Sequence, residues 1–406
     1  MAGHQLAGRM LQHFIYLMLQ LKVKIGLHLY FKSYRVNGIE NVPRNTPIIF
    51  AVNHQNAFLD ALIVTCSTQR NPFYLARADF FKNKWAKLMM ETIQMMPIYR
   101  FRDGQENIKK NEAIIDNCGK LLSDNAALLI FPEGDHAYKY YIRPLKKGVA
   151  RIAFATESAH NFRLGLSIIP SGIQYEDYSS ACNKVLISYG EPVYVSDYKQ
   201  LYTSDQNEAI HKLLQDIEEK LKALVVDIRP PSEYDDIYAK WKINRSLFND
   251  PVTQLDHDKE LIAKIRLHPE KFDDTAAPAT PRKRSLKQIL LMPVFLYSYL
   301  NYIFPNAIVN YILNNKIRDN QFIGSLRFAL WLFLAPIALT IQSAILFIIT
   351  KSLAVAFTYF IITAVFGILT VKHKGVVSSP VGGAKLDKLS EMIAFVFFAL
   401  PPVPDL

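Results

Sequence analysis

Short apolar runs alternate with longer stretches of helical spacing across residues 34–226. The apolar runs cover residues 48–52, 126–131, 166–170 and 185–189, and the helical stretches cover residues 57–66, 107–123 and 205–226. Short buried strands separated by amphipathic helices are typical of α/β folds. The pattern therefore predicts an α/β domain over residues 34–226, with helices packed on a central sheet.

Much longer apolar stretches occur near the C-terminal end, at residues 323–349 and 353–371. Each is long enough to cross a bilayer, and only Thr350, Lys351 and Ser352 separate them, which predicts a tight transmembrane helical hairpin within a membrane region at 285–406. Basic residues flank the hairpin and only Lys351 marks its tip, so the positive-inside rule places both flanks in the cytoplasm. The flanking residues are Lys316, Arg318, Arg327, Lys372, Lys374, Lys385 and Lys388.

The remaining segments are shorter or more polar. Residues 10–21 are apolar but are soon followed by Lys22 and Lys24, so residues 1–33 are predicted to form an interfacial amphipathic helix. Residues 227–284 are charged and weakly periodic, and are predicted to be a polar helical extension ending in a linker. Whether residues 10–31, 289–304 and 389–400 span the membrane or lie in its interface stays open.

The net charge narrows the classes of partner, and the cysteine spacing indicates the state of the thiols. The chain has 406 residues, a net charge of +11 and 50% hydrophobic residues. This charge suits an anionic partner, and without a zinc-finger spacing or a basic-aromatic RNA motif we expect membrane phospholipid or a phosphorylated substrate rather than nucleic acid. Cys66, Cys118 and Cys182 are widely separated and form no Cys-x-x-Cys pair. They are predicted to be reduced, buried thiols.

A histidine and an aspartate follow the first apolar run. His54 lies just after residues 47–52, and Asp60 comes six positions later. Residues six apart do not share a helix face, so the two side chains meet only if the backbone turns between them. We therefore place His54 in a strand-to-helix loop and Asp60 in the first helical turn. There a carboxylate can hold one imidazole nitrogen and leave the other free as a general base.

A second polar cluster follows the next apolar run. Glu133 and Gly134 follow residues 126–131 after one intervening proline, and the glycine allows a sharp turn or close approach of a substrate. Arg143 and Lys146 follow within a basic strip, which is either a binding element or a solvated or lipid-facing surface. Arg100, with Arg102 nearby, suits phosphate binding because a guanidinium binds phosphate through two hydrogen bonds, although it is also compatible with a surface role.

Taken in order, these segments resemble the glycerolipid acyltransferase family, which acylates glycerol 3-phosphate and lysophosphatidic acid. The resemblance rests on four blocks of residues. They are Asn53-His54 with Asp60, Pro97-Ile98-Tyr99-Arg100, Phe131-Pro132-Glu133-Gly134, and Ile168-Ile169-Pro170. The family commonly has four residues between its histidine and aspartate, whereas this chain has five. Its third block also continues with Asp135-His136 instead of Thr-Arg. Both departures look like the branch that includes fungal-type glycerol-3-phosphate acyltransferases and bacterial relatives.

The resemblance implies a mixed sheet flanked by helices and a membrane-bound acyltransferase. His54 and Asp60 would be catalytic, and Arg100, Glu133, Gly134, Arg143 and Lys146 would bind substrate. Glu133 would either hydrogen-bond the glycerol hydroxyl or hold an arginine in place. The donor would be acyl-CoA or acyl carrier protein, with no further cofactor. The expected acceptor is 1-acyl-glycerol 3-phosphate, giving phosphatidic acid, with glycerol 3-phosphate as the alternative. The catalytic domain would face the cytoplasm, in a bacterial inner membrane.

There are three alternatives to this mechanism: a metal site, a covalent acyl-enzyme and a lipid-binding protein without activity. His54, Asp60, Asp135 and His136 could ligate a divalent ion, but their spacing matches no dense metal motif, so no metal is expected. There is no Gly-x-Ser-x-Gly elbow, which argues against a covalent acyl-enzyme. A membrane-anchored lipid-binding protein that keeps the fold without activity is the remaining alternative. The intact set of His54, Asp60, Arg100 and Glu133 favours the enzyme, since a binder has no need of a general base.

Overall fold

The computed structural model describes residues 2–81, 83–98, 106–178, 181–272, 289–317 and 319–373. The chain divides into two compact units. The first comprises the described residues within Met1–His28, Ser33–Tyr178 and Lys184–Ala276, and the second those within Leu29–Lys32, Ser179–Asn183 and Ala277–Leu406.

A mixed sheet of eight strands is the centre of the first unit. The strands are β1 (Ser33–Asn37), β2 (Ile48–Val52), β3 (Phe73–Arg77), β4 (Met95–Ile98), β5 (Ala127–Ile130), β6 (Ser167–Tyr175), β7 (Lys184–Tyr189) and β8 (Val193–Tyr194). Their order is β1-β7-β6-β2-β5-β3-β4, with β8 added on β6. Most neighbours are parallel, whereas β6 runs antiparallel to β7 and β8. All five residues of β2 are buried, as expected for a central strand covered on both faces.

Nine helices longer than one turn accompany this sheet in the described part of the chain. They are α1 (Ala2–Tyr30), α2 (Ala57–Ser67), α3 (Lys84–Thr92), α4 (Glu106–Ser123), α5 (Gly148–Ala159), α6 (Lys199–Ser204), α7 (Gln206–Leu224), α8 (Tyr234–Asn244) and α9 (Pro251–Leu267). Side chains from α4, α5 and α7 form a buried core with those of β2 and β5. Asp205 caps α7 by accepting from the backbone N–H groups of Asn207 and Glu208. The predicted mixed α/β sheet flanked by helices is confirmed.

Most predicted elements fall within one or two residues of their observed bounds, but β6 is longer than expected. The prediction ended this strand at Pro170, whereas it continues to Tyr175. Proline lacks an N–H but keeps its carbonyl, and the Pro170 oxygen accepts from Gly190 N at 2.8 Å. The strand therefore continues past the proline, and the added residues contribute to the site described below.

The segment predicted as a polar extension contains the helices α8 and α9. Both belong to the first unit, and both bury apolar side chains, Trp241 and Ile265 among them. Arg245 donates two hydrogen bonds to Asp258, at 2.8 and 2.6 Å, and so pairs a carboxylate that has no exposed surface. The described part of this segment contains two helices, and their buried side chains contribute to the core of the unit.

Three long helices form most of the described second unit: α10 (Met292–Lys316), α11 (Ile323–Thr350) and α12 (Leu353–His373). By length and composition, α11 with the short turn before it and α12 are each able to cross a membrane. Lys351, at a left-handed φ of 54°, makes the turn between them. The predicted hairpin of two apolar helices is therefore present, and α10 extends the predicted apolar run 289–304 by twelve residues.

Polar side chains of these three helices face one another. Gln342 donates to the Asn301 carbonyl at 2.7 Å, and the Tyr359 hydroxyl contacts both Asn301 Oδ1 and Gln342 Oε1. Thr370 donates to Ser298 at 2.9 Å. The outward side of α10 carries Leu296, Leu300, Phe304 and Ile308, all exposed, with Phe304 at 75%. Apolar side chains outside and paired polar groups inside are the arrangement expected of helices surrounded by lipid.

Helix α1 occupies most of the segment 1–33 that was predicted to be an N-terminal helix. It starts at Ala2 and is continuous to Tyr30. Tyr16 and Leu27 are buried, and Gln20 donates to the Thr65 carbonyl at 3.2 Å. Met10, Leu11 and Phe14 are exposed. The helix therefore packs through one narrow stripe and leaves apolar side chains uncovered.

Candidate active site

His54 and Asp60 meet in the loop between β2 and α2. His54 lies two residues beyond the end of β2, and Asp60 lies in the first turn of α2, as the spacing predicted. The imidazole Nδ1 of His54 is 2.9 Å from Oδ2 of Asp60. The His54 side chain is 15% exposed, whereas that of Asp60 has no exposed surface. The turn between the two residues thus brings a partly accessible imidazole onto a buried carboxylate.

The Asp60 carboxylate is held by further donors. Oδ2 also accepts from the backbone N–H groups of Gln55 and Asn56, both at 2.8 Å. Oδ1 accepts from the Tyr175 hydroxyl at 2.7 Å. Donors arranged around a carboxylate at the N-terminus of a helix replace the water that burial removes and stabilise its charged form. The carboxylate is therefore fixed in one orientation.

This arrangement defines the tautomer of His54. A carboxylate only accepts hydrogen bonds, so Nδ1 carries the proton and Nε2 of the neutral ring is left as an acceptor. The ring stacks on Phe131, with centroids 3.8 Å apart and planes at 13°. The ring of His136 lies 5.3 Å away at a tilt of 57°. Held in this way, Nε2 can take a proton from a hydroxyl that reaches the exposed edge of the ring.

Glu133 belongs to the block Phe131-Pro132-Glu133-Gly134 and lies three residues after β5 ends. Its Oε1 accepts from the backbone N–H of His54 at 2.7 Å, and its Oε2 accepts from Arg143 Nε at 2.7 Å. Only 1% of the Glu133 side chain is exposed. Burial raises the pKa of the Glu133 carboxyl, while the charge of Arg143 and these hydrogen bonds oppose that rise. Glu133 therefore links the two motif loops.

Arg143 completes the link. Besides its bond to Glu133, its Nη2 group donates to the His54 carbonyl at 3.2 Å and to the Asp135 carbonyl. Of the two roles considered for Glu133, the structure shows the contact that holds an arginine. Glu133 and Arg143 were both predicted to bind substrate. In the structure they form hydrogen bonds with each other and with the backbone of the site.

Gly134 and Lys146 lie beside this pair. Gly134 has a φ of +75°, and its N–H donates to the Phe131 carbonyl at 3.0 Å. Lys146 N donates to the Pro132 carbonyl at 2.7 Å. A Cβ at residue 134 would lie 3.3 Å from Lys146 Cγ. The aliphatic part of the Lys146 side chain therefore packs against the turn at Gly134, and Lys146 is exposed to solvent.

Some predicted features lie elsewhere or outside the described residues. Arg100 and Arg102 are outside them, and β4 ends at Ile98, ahead of that segment. Among the described residues, no group of three or more His, Cys, Asp or Glu side chains could hold a metal ion. Cys66 and Cys118 are buried free thiols, as predicted, whereas Cys182 is only partly buried; burial raises the pKa of Cys66 and of Cys118 to about 12. Such thiols are poor nucleophiles.

Two residues with a structural part in the site were missed. Asn53 belongs to the first motif but had no assigned role; its side chain accepts from Ile173 N at 2.7 Å and donates to Ile173 O at 3.0 Å. Tyr175 was not considered at all. The contact of Asn53 with Ile173 and that of Tyr175 with Asp60 each join residues more than a hundred positions apart. The pairing of β2 with β6 brings these residues together. The asparagine beside His54 was a usable signal, whereas nothing in the local sequence marks Tyr175.

Comparisons with known proteins agree on one family. The acyltransferase family model matches residues 33–174. The chain is 25% identical over 200 residues to a 1-acyl-sn-glycerol-3-phosphate acyltransferase of Bacillus subtilis, covering 47% of this chain and 90% of that protein. It is 25% identical over 124 residues to glycerol-3-phosphate O-acyltransferase 2 of Saccharomyces cerevisiae, covering 30% of this chain and 16% of that protein.

A solved structure is also similar. It is the 1-acyl-sn-glycerophosphate (LPA) acyltransferase from Thermotoga maritima, at 17% sequence identity and a TM-score of 0.37. The match covers 52% of this chain and 81% of that one.

Proposed function

We propose, from the match of residues 33–174 to the acyltransferase family model, that the protein transfers a fatty acyl group from an acyl thioester to the hydroxyl of 1-acyl-glycerol 3-phosphate. The product would be phosphatidic acid. The single observation that carries the proposal is the 2.9 Å contact between His54 Nδ1 and the buried Asp60 carboxylate. It leaves Nε2 as a base beside the accessible edge of the ring.

The reaction follows from this geometry. His54 Nε2 removes the proton of the acceptor hydroxyl as its oxygen attacks the thioester carbonyl carbon. A carbon–oxygen bond forms, and the tetrahedral intermediate collapses by breaking the carbon–sulfur bond. The departing thiolate takes the proton from the His54 imidazolium, which restores the neutral base. Throughout, Asp60 accepts the Nδ1 hydrogen bond and stabilises the positive ring, the role that the carboxylate has in Ser-His-Asp triads.

We assign different tasks to the residues around the dyad. Glu133 and Arg143 hold the backbone of His54 through the contacts at 2.7 and 3.2 Å, so they keep the base in place. Lys146, exposed beside Gly134, and Arg100 would supply positive charge to the acceptor phosphate. Arginine and lysine differ here, because only the guanidinium offers two parallel donors to a phosphate.

Lysophosphatidic acid is the first choice of acceptor because the Bacillus subtilis relative, matched over 90% of its length, is named for that substrate. Glycerol 3-phosphate is the alternative, supported by the five residues between His54 and Asp60 and by the yeast relative. Acyl-CoA and acyl carrier protein are both suitable donors. A lipid-binding protein without activity is the third reading, and the ordered dyad argues against it.

The second unit would anchor the enzyme in the membrane. Helices α11 and α12 are long and apolar enough to cross, and α10 adds an apolar outer side with its polar groups turned inward. Basic residues on both flanks of the hairpin favour a cytoplasmic location for those flanks and for the catalytic domain. With acyl carrier protein or acyl-CoA as donor, the inner membrane of a bacterium fits best.

The test is an acyl-transfer assay on the purified full chain in phospholipid nanodiscs. Labelled acyl-CoA or acyl carrier protein is supplied with each acceptor separately, and products are identified by mass spectrometry. Formation of phosphatidic acid from lysophosphatidic acid, abolished in His54→Ala, is the expected result. Preferred formation of lysophosphatidic acid from glycerol 3-phosphate would select the alternative. Lipid binding without turnover of any acceptor would overturn the enzymatic proposal.

A further inference from the structure

The mechanism above leaves one buried contact of the dyad without a role. The Tyr175 hydroxyl donates to Oδ1 of Asp60 at 2.7 Å, and neither side chain has any exposed surface. We propose that Tyr175 is a positioning residue, which locks the Asp60 carboxylate in the orientation that holds the Nδ1–H tautomer of His54. This inference rests on the proposed function, in which His54 acts as the base.

The two oxygens of Asp60 are bound unequally. Oδ2 accepts from His54 Nδ1 and from the backbone N–H groups of Gln55 and Asn56. Within the described residues, the hydrogen bond recorded at Oδ1 comes from Tyr175. A buried carboxylate oxygen without a donor is strongly unfavourable, so loss of the tyrosine hydroxyl favours rotation or protonation of the carboxyl group. Either change weakens the preference of His54 for a proton on Nδ1.

Neighbouring strands fix the position of Tyr175. The side chain of Asn53 exchanges two hydrogen bonds with the backbone of Ile173, which extends the β2–β6 pairing past the last residue of β2. Tyr175 lies two residues further along β6, on the same face of the sheet as Ile173. On the other side of the strand, Tyr175 pairs with Val185 of β7. The hydroxyl is thereby aimed by the sheet at the helix that carries Asp60.

A matched control exists at the opposite end of the same helix. Tyr189 is buried in β7, and its hydroxyl lies 2.6 Å from Oγ of Ser67, the last residue of α2. Tyr175→Phe and Tyr189→Phe thus each remove one buried tyrosine hydroxyl that contacts α2. A purely structural contribution predicts the same outcome for both variants, whereas a positioning role predicts a specific effect of Tyr175→Phe.

The first measurement is steady-state kinetics of the full chain in phospholipid nanodiscs. For Tyr175→Phe we expect kcat to fall about 10- to 100-fold, the size expected for one hydrogen bond to a charged group. The KM values for donor and acceptor should stay within about twofold, because the hydroxyl contacts neither substrate. Tyr189→Phe should keep the wild-type kcat and KM.

The second measurement does not depend on activity. Protein labelled with [15N]histidine is examined by NMR, and the His54 signals are assigned by their loss in His54→Gln. Wild type and Tyr189→Phe should show Nδ1 protonated and Nε2 unprotonated, and Tyr175→Phe should show a mixture of tautomers. A wild-type tautomer pattern in Tyr175→Phe overturns the inference whatever its kcat. If the wild type acylates none of the acceptors, the proposed function fails, and the NMR comparison alone decides the role of Tyr175.

Discussion

In the first unit, apolar side chains face inward around the sheet, and a small set of polar groups is buried among them at the ends of β2 and β5. Asp60 and Glu133 are nearly inaccessible, and each accepts hydrogen bonds at both carboxylate oxygens. In the second unit the order is reversed, with Leu300 and Phe304 outside and Asn301 and Gln342 paired inside. Buried polar groups are paired in both units, but the first unit suits water and the second suits hydrocarbon.

The pairing also serves different ends in the two units. Among the three helices, polar contacts join neighbouring elements and orient their packing. At the candidate active site, Asp60 accepts from the His54 ring and from the backbone of the next two residues, and Glu133 accepts from the His54 backbone and from Arg143. This contrast indicates that the polar groups of the first unit are arranged around one functional side chain.

The largest expected effect tests the role of the His54 ring, around which these polar contacts are arranged. His54→Ala should lower kcat about 10²- to 10⁴-fold, because it removes the general base. The fold should persist, as the Glu133 and Arg143 contacts use the His54 backbone. The measurement is acyl transfer per folded protein, with melting temperature monitored. His211→Ala, at an exposed position of α7, is the control and should keep wild-type activity. Near-normal turnover of His54→Ala would contradict the assigned chemistry.

The next prediction concerns how each unit is held at the membrane. A chain ending at Pro281 lacks α10–α12 and should leave membranes in high salt, since only charge and the exposed side of α1 would hold it. Each basic side chain near an anionic surface contributes about 1 kcal/mol, and salt screens that attraction. The full chain should stay in the membrane pellet until detergent is added. Sedimentation with vesicles of anionic lipid checks both forms, and a truncated chain that resists salt would show that α1 anchors it by itself.

A smaller effect concerns the buried carboxyl of Glu133. Burial raises its pKa above the ordinary 4.5, so between about 4.5 and the raised pKa the folded state keeps a proton that the unfolded chain has released. The contribution of Glu133 to the free energy of unfolding therefore falls as the pH rises through that interval. Glu133→Gln cannot titrate, so the stability of wild type relative to this variant should decline over the same interval.

Thermal unfolding over a pH series checks this prediction. Glu260→Gln, on an exposed part of α9, is the matched control, and its difference from wild type should not follow the decline. A relative stability of wild type over Glu133→Gln that increases with pH would mean that the pairing with Arg143 outweighs burial at this site.

The smallest expected effect concerns backbone strain at the start of α2. Ala57 has a φ of 43°, a left-handed conformation that costs a residue with a Cβ about 1–2 kcal/mol. Ala57→Gly relieves this cost but gains freedom in the unfolded chain, so we expect a net stabilisation of at most about 1 kcal/mol with kcat unchanged. Ala61→Gly, buried in the same helix, should instead destabilise by about 1 kcal/mol. A destabilised Ala57→Gly would show that the turn tolerates alanine without strain.

Local patterns in the sequence were sufficient for much of this structure. The bounds of β2, the turn between His54 and Asp60, and the two apolar C-terminal helices all follow from neighbouring residues, because period, length and spacing are local properties. The predicted end of β6 at Pro170 was wrong: the strand continues to Tyr175, and the Pro170 carbonyl accepts a hydrogen bond from Gly190 N.

The sequence by itself determined four strands of the sheet, the apolar hairpin and the pairing of His54 with Asp60, whose six-residue separation leaves a turn as the one way to meet. Only the tertiary structure decided which distant residues are in contact. Tyr175 donates a hydrogen bond to Asp60, 115 positions away, and Asn53 donates one to Ile173, 120 positions away. The structure also showed that Arg143 donates to Glu133. Arg143 and Glu133 lie ten positions apart between β5 and α5, but the Tyr175 and Asn53 contacts depend on which strands become neighbours in the sheet. That order is set by the packing of the whole domain, and no local period or spacing encodes it.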